Sequence, residues 1–340
     1  MSYRYLGNKS RLADWIVGEI SQVLGPSGIV ADPMCGTASV SAALASSGYS
    51  VVAADALRFP VVHASVRLLA KSAPQFNVLG GYENTLEWMR RIVPIEGYFF
   101  NEFGEAGSPA NGGKSRLYFS AENAAHIDGI RESIRELAKD GGLTTLEHNV
   151  LLHHLILSTN AVANISGTYG YFHKGLMKSA QRPLSFEPLT FENTRGDHHV
   201  FQGDVEDIAS QLVVDAVYLD PPYTKRQYAG NYHILETIAL EDEPVAVGAG
   251  GLRPWKEQAS AFCYKRSAAD AFRRTLCQLR TNHVFISYSE DGQVSIDELT
   301  SILGEFGRVT IKERPYHRYR SSNRVRDGLV LEYLFHLEVE

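Results

Sequence analysis

The 340-residue sequence predicts a doubly wound α/β sheet, mostly parallel, interrupted by a mainly helical insertion. Two observations predict it. Short β-branched runs ending at acidic or turn residues alternate with helical periodicity, and one interval between such runs is far too long for a crossover connection. Candidate strands fall at 28–32, 50–55, 199–204 and 215–220, with later ones at 283–289, 308–312 and 329–337. Helical patterns at 12–24, 39–46 and 268–279 lie between them. The last two strands are close enough to be neighbours without a crossover helix, which makes an antiparallel edge.

More than a hundred residues separate Asp55 from His199, whereas a strand-helix-strand unit needs about thirty. Spaced apolar positions at 123–139 and 145–162 read as helices, preceded by the loop-like GEAGSPANGGKS at 104–115. The expected organisation is therefore a discontinuous domain, residues 1–58 and 199–340, around a helical insertion, residues 59–198.

Composition narrows the function classes. Apolar residues make up 44% and charged ones 21%, so the chain should fold. The N-terminal MSYRYLGNKSRL lacks an apolar signal segment, and no run of about eighteen apolar residues occurs, so a cytoplasmic protein without membrane contact is expected. Cys35, Cys263 and Cys277 are isolated, against a disulfide framework or a structural zinc site. His153–His154 and His198–His199 lack partners at metal spacing and read as structural, so no metal is expected. A net charge of −6 means that any nucleic-acid contact uses a local basic face.

In open α/β sheets the ligand sits beyond the carboxyl ends of the strands, so those ends are best considered together. The first ends in ADPMCGTASVSAAL, where Asp32 precedes a small-residue turn with Gly36, and a helix begins near Ser39. This is neither a GxGxxG fingerprint nor a P-loop, which speaks against a phosphate cradle. The second ends at Asp55, about twenty residues after Gly36, the spacing at which an acid meets ribose hydroxyls. The third ends at Asp204 in FQGD, available to an adenine edge, and the fourth at Asp220. Four carboxylates repel a diphosphate and suit a positively charged adenosine cofactor; S-adenosylmethionine is one.

At this point the sequence resembles a family. ADPMCGTASVS together with LDPPY looks like the amino-methyltransferases of DNA, and RYLGNK at 4–9 looks like the N-terminal cofactor motif of the Dam-type adenine-specific methyltransferases. The order matches as well: N-terminal motif, glycine loop, long recognition region, FQGDVEDI, then DPPY. YHILET at 232–237, HVFISYS at 283–289 and HRYRSSNRVRDGLVLEYLF at 317–335 sit where such enzymes carry later motifs. The loop departs from the family pattern at Ala38, where a second glycine is more usual. The resemblance implies a Rossmann-like class I methyltransferase sheet, with the insertion reading the DNA target. It implies S-adenosylmethionine as cofactor, held by Tyr5, Lys9, Asp32, Pro33, Cys35, Gly36, Thr37, Ser39, Asp55, Ala56, Asp204 and Asp220.

It also implies that Asp220, Pro221, Pro222 and Tyr223 are catalytic, methylating N6 of an adenine flipped out of double-stranded DNA. An exocyclic amine conjugated with a ring is a poor nucleophile. Acceptors on Asp220 and the Pro221 carbonyl would orient its lone pair, and hydrogen bonds that strengthen as charge develops favour the transition state. The two prolines fix φ and remove N–H donors, and Tyr223 offers a stacking face for the extruded base. Methylation of cytosine C5 needs a nucleophilic thiolate, usually after a proline, and no cysteine here follows one. Cytosine N4 in DNA and adenine N6 in RNA present similar amines and stay as alternatives. A noncatalytic DNA-binding subunit is the alternative of another class, which the intact DPPY opposes.

For phosphate contact the basic, tyrosine-interleaved run Lys312, Arg314, Arg318, Arg320, Arg324 and Arg326, with one acid, Glu313, is the candidate. Lys225, Arg226 and Tyr228, directly after DPPY, are placed to grip the strand bearing the flipped base. A restriction endonuclease encoded separately is a further partner compatible with this reading.

Overall fold

The computed structural model describes residues Arg4–His317 and Leu329–Glu340. Seven strands form one sheet: β1 (Ile29–Asp32), β2 (Ser50–Asp55), β3 (His199–Gln202), β4 (Ala216–Leu219), β5 (His283–Ser289), β6 (Gly307–His317) and β7 (Leu329–Val339). Their order is β3-β2-β1-β4-β5-β7-β6. The first five are parallel, whereas β7 runs antiparallel between β5 and β6. The sheet is thus the expected doubly wound one with an antiparallel closing hairpin, the Rossmann-like sheet of class I methyltransferases.

Helices α1 (Ala13–Leu24), α2 (Ser39–Ser46), α3 (Arg58–Leu69), α4 (Tyr82–Arg91), α5 (Tyr98–Phe103), α6 (Ala121–Lys139) and α7 (Thr145–Val162) precede β3. After it come α8 (Val205–Ile208), α9 (Tyr228–Asn231), α10 (His233–Leu240), α11 (Ala268–Gln278) and α12 (Ile296–Gly304). Strand ends differ from expectation by a few residues, each for a chemical reason. Gly28, at φ +150°, precedes β1, and the Ile29 N–H goes to the Asp215 carboxylate at 2.7 Å. Asp204 leaves β3 to cap α8, its carboxylate accepting the Glu206 N–H at 2.9 Å. Edge strand β6 extends well past Lys312, pairing with β7 as far as His317.

The chain divides into two compact units. The sheet unit comprises Gly7–Ala64, Thr194–Gln227 and Gln258–Glu340. One face of its sheet buries Val217, Leu219, Val284, Ile286, Phe335 and Leu337 against Phe272 and Leu276 of α11 and Leu299 and Ile302 of α12. Among the described residues the helical unit comprises Arg4–Leu6, Ser65–Asn193 and Tyr228–Glu257. The longest segment of the helical unit is Ser65–Asn193, where the insertion was expected at 59–198, and the unit also takes Tyr228–Glu257. The reason is packing. Helix α10 is buried along most of its length and lies against α7, Arg253 donates to Asp242 at 2.9 and 3.0 Å, and buried Arg116 reaches the Gly248 carbonyl.

Candidate active site

Asp220 stands one residue past β4, where Pro221 has no N–H to continue the ladder. Its side chain, 18% exposed, meets Lys9 Nζ at 2.9 Å. Lys9 is buried, lies 4.0 Å from Glu332 of β7 and stands 5.4 Å from the centre of the Tyr223 ring. Burial disfavours the lysine's charge, yet Asp220, with smaller help from Tyr223, Glu332 and Tyr218, holds its pKa well above the ordinary value. Burial raises the Asp220 carboxyl, and Lys9 opposes that rise. Tyr223 is half-buried, packs edge-on to Tyr288 of β5 at 5.7 Å, and accepts the Gln293 N–H at 2.8 Å. A carboxylate, an ammonium and an aromatic ring therefore meet at one strand end.

The glycine loop lies at the neighbouring strand end. Gly36 (φ +51°) and Ala38 (φ +54°) are both left-handed, which folds the chain back before α2. Asp55 builds this loop: its two oxygens accept the Gly36 and Leu57 N–H groups, each at 3.0 Å. Two of roughly four lone-pair directions on a carboxylate are used in this way. Cys35 N–H donates to the Ala54 carbonyl at 3.0 Å, and Pro33, Cys35 and Thr37 are buried. Thr37 and Ser39 share a hydrogen bond of 2.8 Å, and the Ser39 hydroxyl donates to Asn8 Oδ1 at 3.2 Å. The Ala56 carbonyl accepts from Gln202 at 3.0 Å.

Asp32 is 1% exposed, and its Oδ2 accepts the Ser41 hydroxyl at 2.5 Å. Its Oδ1 has no partner within the protein. Burial pushes this carboxyl up to about 7; the Ser41 bond opposes the rise, and the charges of Asp220 and Asp55 add to it. Asp220 and Asp55 are thus near enough for their charges to act on Asp32.

The remaining expected residues are distributed differently. Tyr5 lies in the helical unit, stacked on Tyr232 at 4.9 Å and 5.4 Å from Tyr228. Tyr228 donates its hydroxyl to the Leu6 carbonyl at 2.9 Å, so it anchors the N-terminal segment. Lys225, Arg226, Lys312 and Arg314 are exposed, whereas Arg318, Arg320, Arg324 and Arg326 lie outside the described residues. Burial pushes the Cys263 thiol up to about 12, which leaves it a poor nucleophile. His154 shares a 2.9 Å hydrogen bond with Tyr82, and His198 bonds Val51 N–H and Thr194 at 3.2 and 3.0 Å. Among the described residues no three metal-ligating side chains converge.

Sequence reasoning missed Asn8, Ser41, Tyr288 and Glu332. Asn8 adjoins Lys9 and could have been found there; Glu332 lies within the quoted 317–335 stretch, but its place beside Lys9, more than three hundred residues away, had no local signal.

The residues present fit S-adenosylmethionine. The loop's Gly36 amide is taken by Asp55 rather than offered to a phosphate, and an unpartnered buried oxygen on Asp32 lies among further carboxylates that favour a cation. Fold and site define an S-adenosylmethionine-dependent methyltransferase with a DPPY turn. Residues 5–302 match the family described as D12 class N6 adenine-specific DNA methyltransferase, and the chain belongs to that family. It is 30% identical to the type II methyltransferase M.NlaIII of Neisseria lactamica over 98% of both chains. It is 32% identical to the type II methyltransferase M.FokI of Planomicrobium okeanokoites, covering 98% of this chain and 52% of that protein. The modification methylase StsI of Streptococcus sanguinis is 30% identical, again over 98% of this chain and 52% of the relative. This chain therefore spans about half of two of these relatives and nearly all of the third. No helix among the described residues is long and apolar enough to cross a membrane.

Proposed function

We propose that this chain methylates the N6 amine of an adenine extruded from a specific double-stranded DNA site, with S-adenosylmethionine as donor. The observation that carries it is the strand-end cluster in which the Asp220 carboxylate, the DPPY backbone and the Tyr223 ring stand together. S-adenosylmethionine supplies an electrophilic methyl group when bound. Asp32, the 33–39 loop and Asp55 would hold it, the carboxylates facing its positive charge. The protein must then raise the nucleophilicity of an amine. Asp220 accepts one N–H of that amine, and the Pro221 carbonyl takes the second. As the amine gains positive charge, both bonds strengthen, so they stabilise the transition state more than the ground state. Tyr223 stacks on the extruded base and offsets on the order of 1–3 kcal/mol of lost stacking.

On this reading Lys225, Arg226, Lys312 and Arg314 neutralise phosphates, and the inserted helical segment reads the target sequence. A cytoplasmic location and a separately encoded endonuclease follow from the same reading. The test is direct. Unmethylated genomic DNA treated with the chain and digested to nucleosides should contain N6-methyldeoxyadenosine, and N4-methyldeoxycytidine as sole product would overturn the assignment. Asp220→Ala should still bind S-adenosylmethionine in a calorimeter while its turnover drops by at least about 10²-fold.

A further inference from the structure

We propose that Lys9 is a placeholder for the substrate amine: its ammonium occupies the acceptor oxygen of Asp220 beside the Tyr223 ring and must leave before a base can bind. This rests on the methyl-transfer reading and adds a positioning residue to it. The geometry is that of a bound substrate analogue. A nitrogen with N–H donors sits 2.9 Å from the carboxylate and 5.4 Å from the ring centre, both partners that a target amine would need. An ammonium that stayed would be a liability, because the amine becomes cationic as it is alkylated and like charges within about 4 Å repel strongly. Glu332, with its Oε2 4.0 Å from the ammonium, and the Gly7 carbonyl at 3.3 Å give Lys9 a second place to turn. Gly7, at φ +70°, lies within the motif two residues before Lys9, in a backbone conformation that favours glycine. In the free protein the Lys9 ammonium opposes the rise that burial imposes on the Asp220 carboxyl.

The groups around this pair are Asp220, Tyr218, Tyr223 and Glu332 about Lys9, with Asp32 acting on Asp220 from β1. All five are acids or phenols. Loss of the lysine charge therefore lets the Asp220 carboxyl rise further.

Lys9→Met and Lys9→Arg in the full chain test the role, with tritiated S-adenosylmethionine and unmethylated genomic DNA as substrates between pH 6 and 9. For Lys9→Met the acid limb of kcat should move up, so that kcat relative to wild type is severalfold lower at pH 6 than at pH 9. Its KM for DNA should fall severalfold, because nothing has to be displaced. Lys9→Arg should keep the acid limb in place and raise KM for DNA severalfold, since a forked head holds a carboxylate at two points. Cofactor affinity, measured by calorimetry, should fall by less than tenfold for both. A Lys9→Met chain with kcat lost at every pH would make the lysine a participant in the transfer and overturn the proposal. So would a tenfold loss of cofactor affinity with an unmoved acid limb. If Lys9→Met does not fold, an unchanged DNA KM in Lys9→Arg overturns it alone. Products are identified in the same digests: a wild type that makes a different nucleoside sinks the functional reading, while the right nucleoside with unmoved profiles sinks only the placeholder.

Discussion

Asp32 joins two opposing demands. A carboxylate at a strand end suits a cationic ligand, yet the side chain is 1% exposed and burial disfavours its charge. Its carboxyl is raised to about 7 in the folded chain, above the ordinary value of 3.8. A raised value means that the native state binds the proton more tightly, so this stabilisation is complete below about pH 4 and is lost as pH climbs through 7. Asp32→Asn should therefore gain stability relative to wild type between pH 5 and pH 8, by on the order of 1–3 kcal/mol. Urea denaturation at the two pH values measures it, and a constant difference would show that Asp32 does not titrate there. Ala38 shows why a motif reads imperfectly at this scale. It stands where the resembled family more often has a second glycine, and its φ of +54° shows what that glycine is for. An L-residue in this conformation costs on the order of 1–2 kcal/mol, and the buried Ala38 methyl offsets part of it. Composition alone marks the loop; the backbone angle explains the departure.

At the scale of elements, helix ends were legible because their chemistry is local. Thr144 and Glu147 form a reciprocal capping box at the start of α7, with Thr144 N–H donating to Glu147 at 2.8 Å. Ser120 caps α6 in the same sense, accepting the Asn123 N–H at 3.2 Å. Glu147 does a second task that no local pattern announces: it accepts the Phe76 N–H at 2.6 Å, from a residue seventy-one positions earlier. Gly129 is the more instructive case. Within a helix, Gly→Ala ordinarily stabilises by about 1 kcal/mol. A Cβ at Gly129, however, would lie 2.4 Å from the Val93 carbonyl oxygen, a backbone atom that cannot turn aside. The clash outweighs the propensity, since overpacking costs typically 1–3 kcal/mol. Gly129→Ala should lower the thermal midpoint, and a rise would show that the 93–95 segment yields freely. The antiparallel placement of β7 was only half legible: its proximity to β6 was clear, while its insertion between β5 and β6 depends on pairing with a strand about forty residues away.

The whole molecule carries 33 Lys and Arg against 39 Asp and Glu, so its net field opposes a polyanion. On the proposed reading DNA affinity must then come from local cations, and the exposed Lys225 and Arg226 closely follow the DPPY turn. Each phosphate contact contributes about 0.9 to the slope of log K against log salt. The double variant Lys225→Ala, Arg226→Ala should therefore flatten that slope by about 2 and leave the methylated nucleoside unchanged. An unaltered slope in filter binding would move the phosphate contacts elsewhere.

Sequence by itself determined the alternation of strands and helices, the interruption after Asp55, the glycine loop and the DPPY turn. Periodicity, turn chemistry and capping are written in residues that are neighbours along the chain. Only the tertiary structure decided that Lys9 faces Asp220 and Glu332, that Asp55, expected to meet ribose hydroxyls, also builds the glycine loop, and that residues 228–257 belong with the helical unit. Those pairings join segments tens to hundreds of residues apart, and their free energy depends on burial and distance, which no local spacing records.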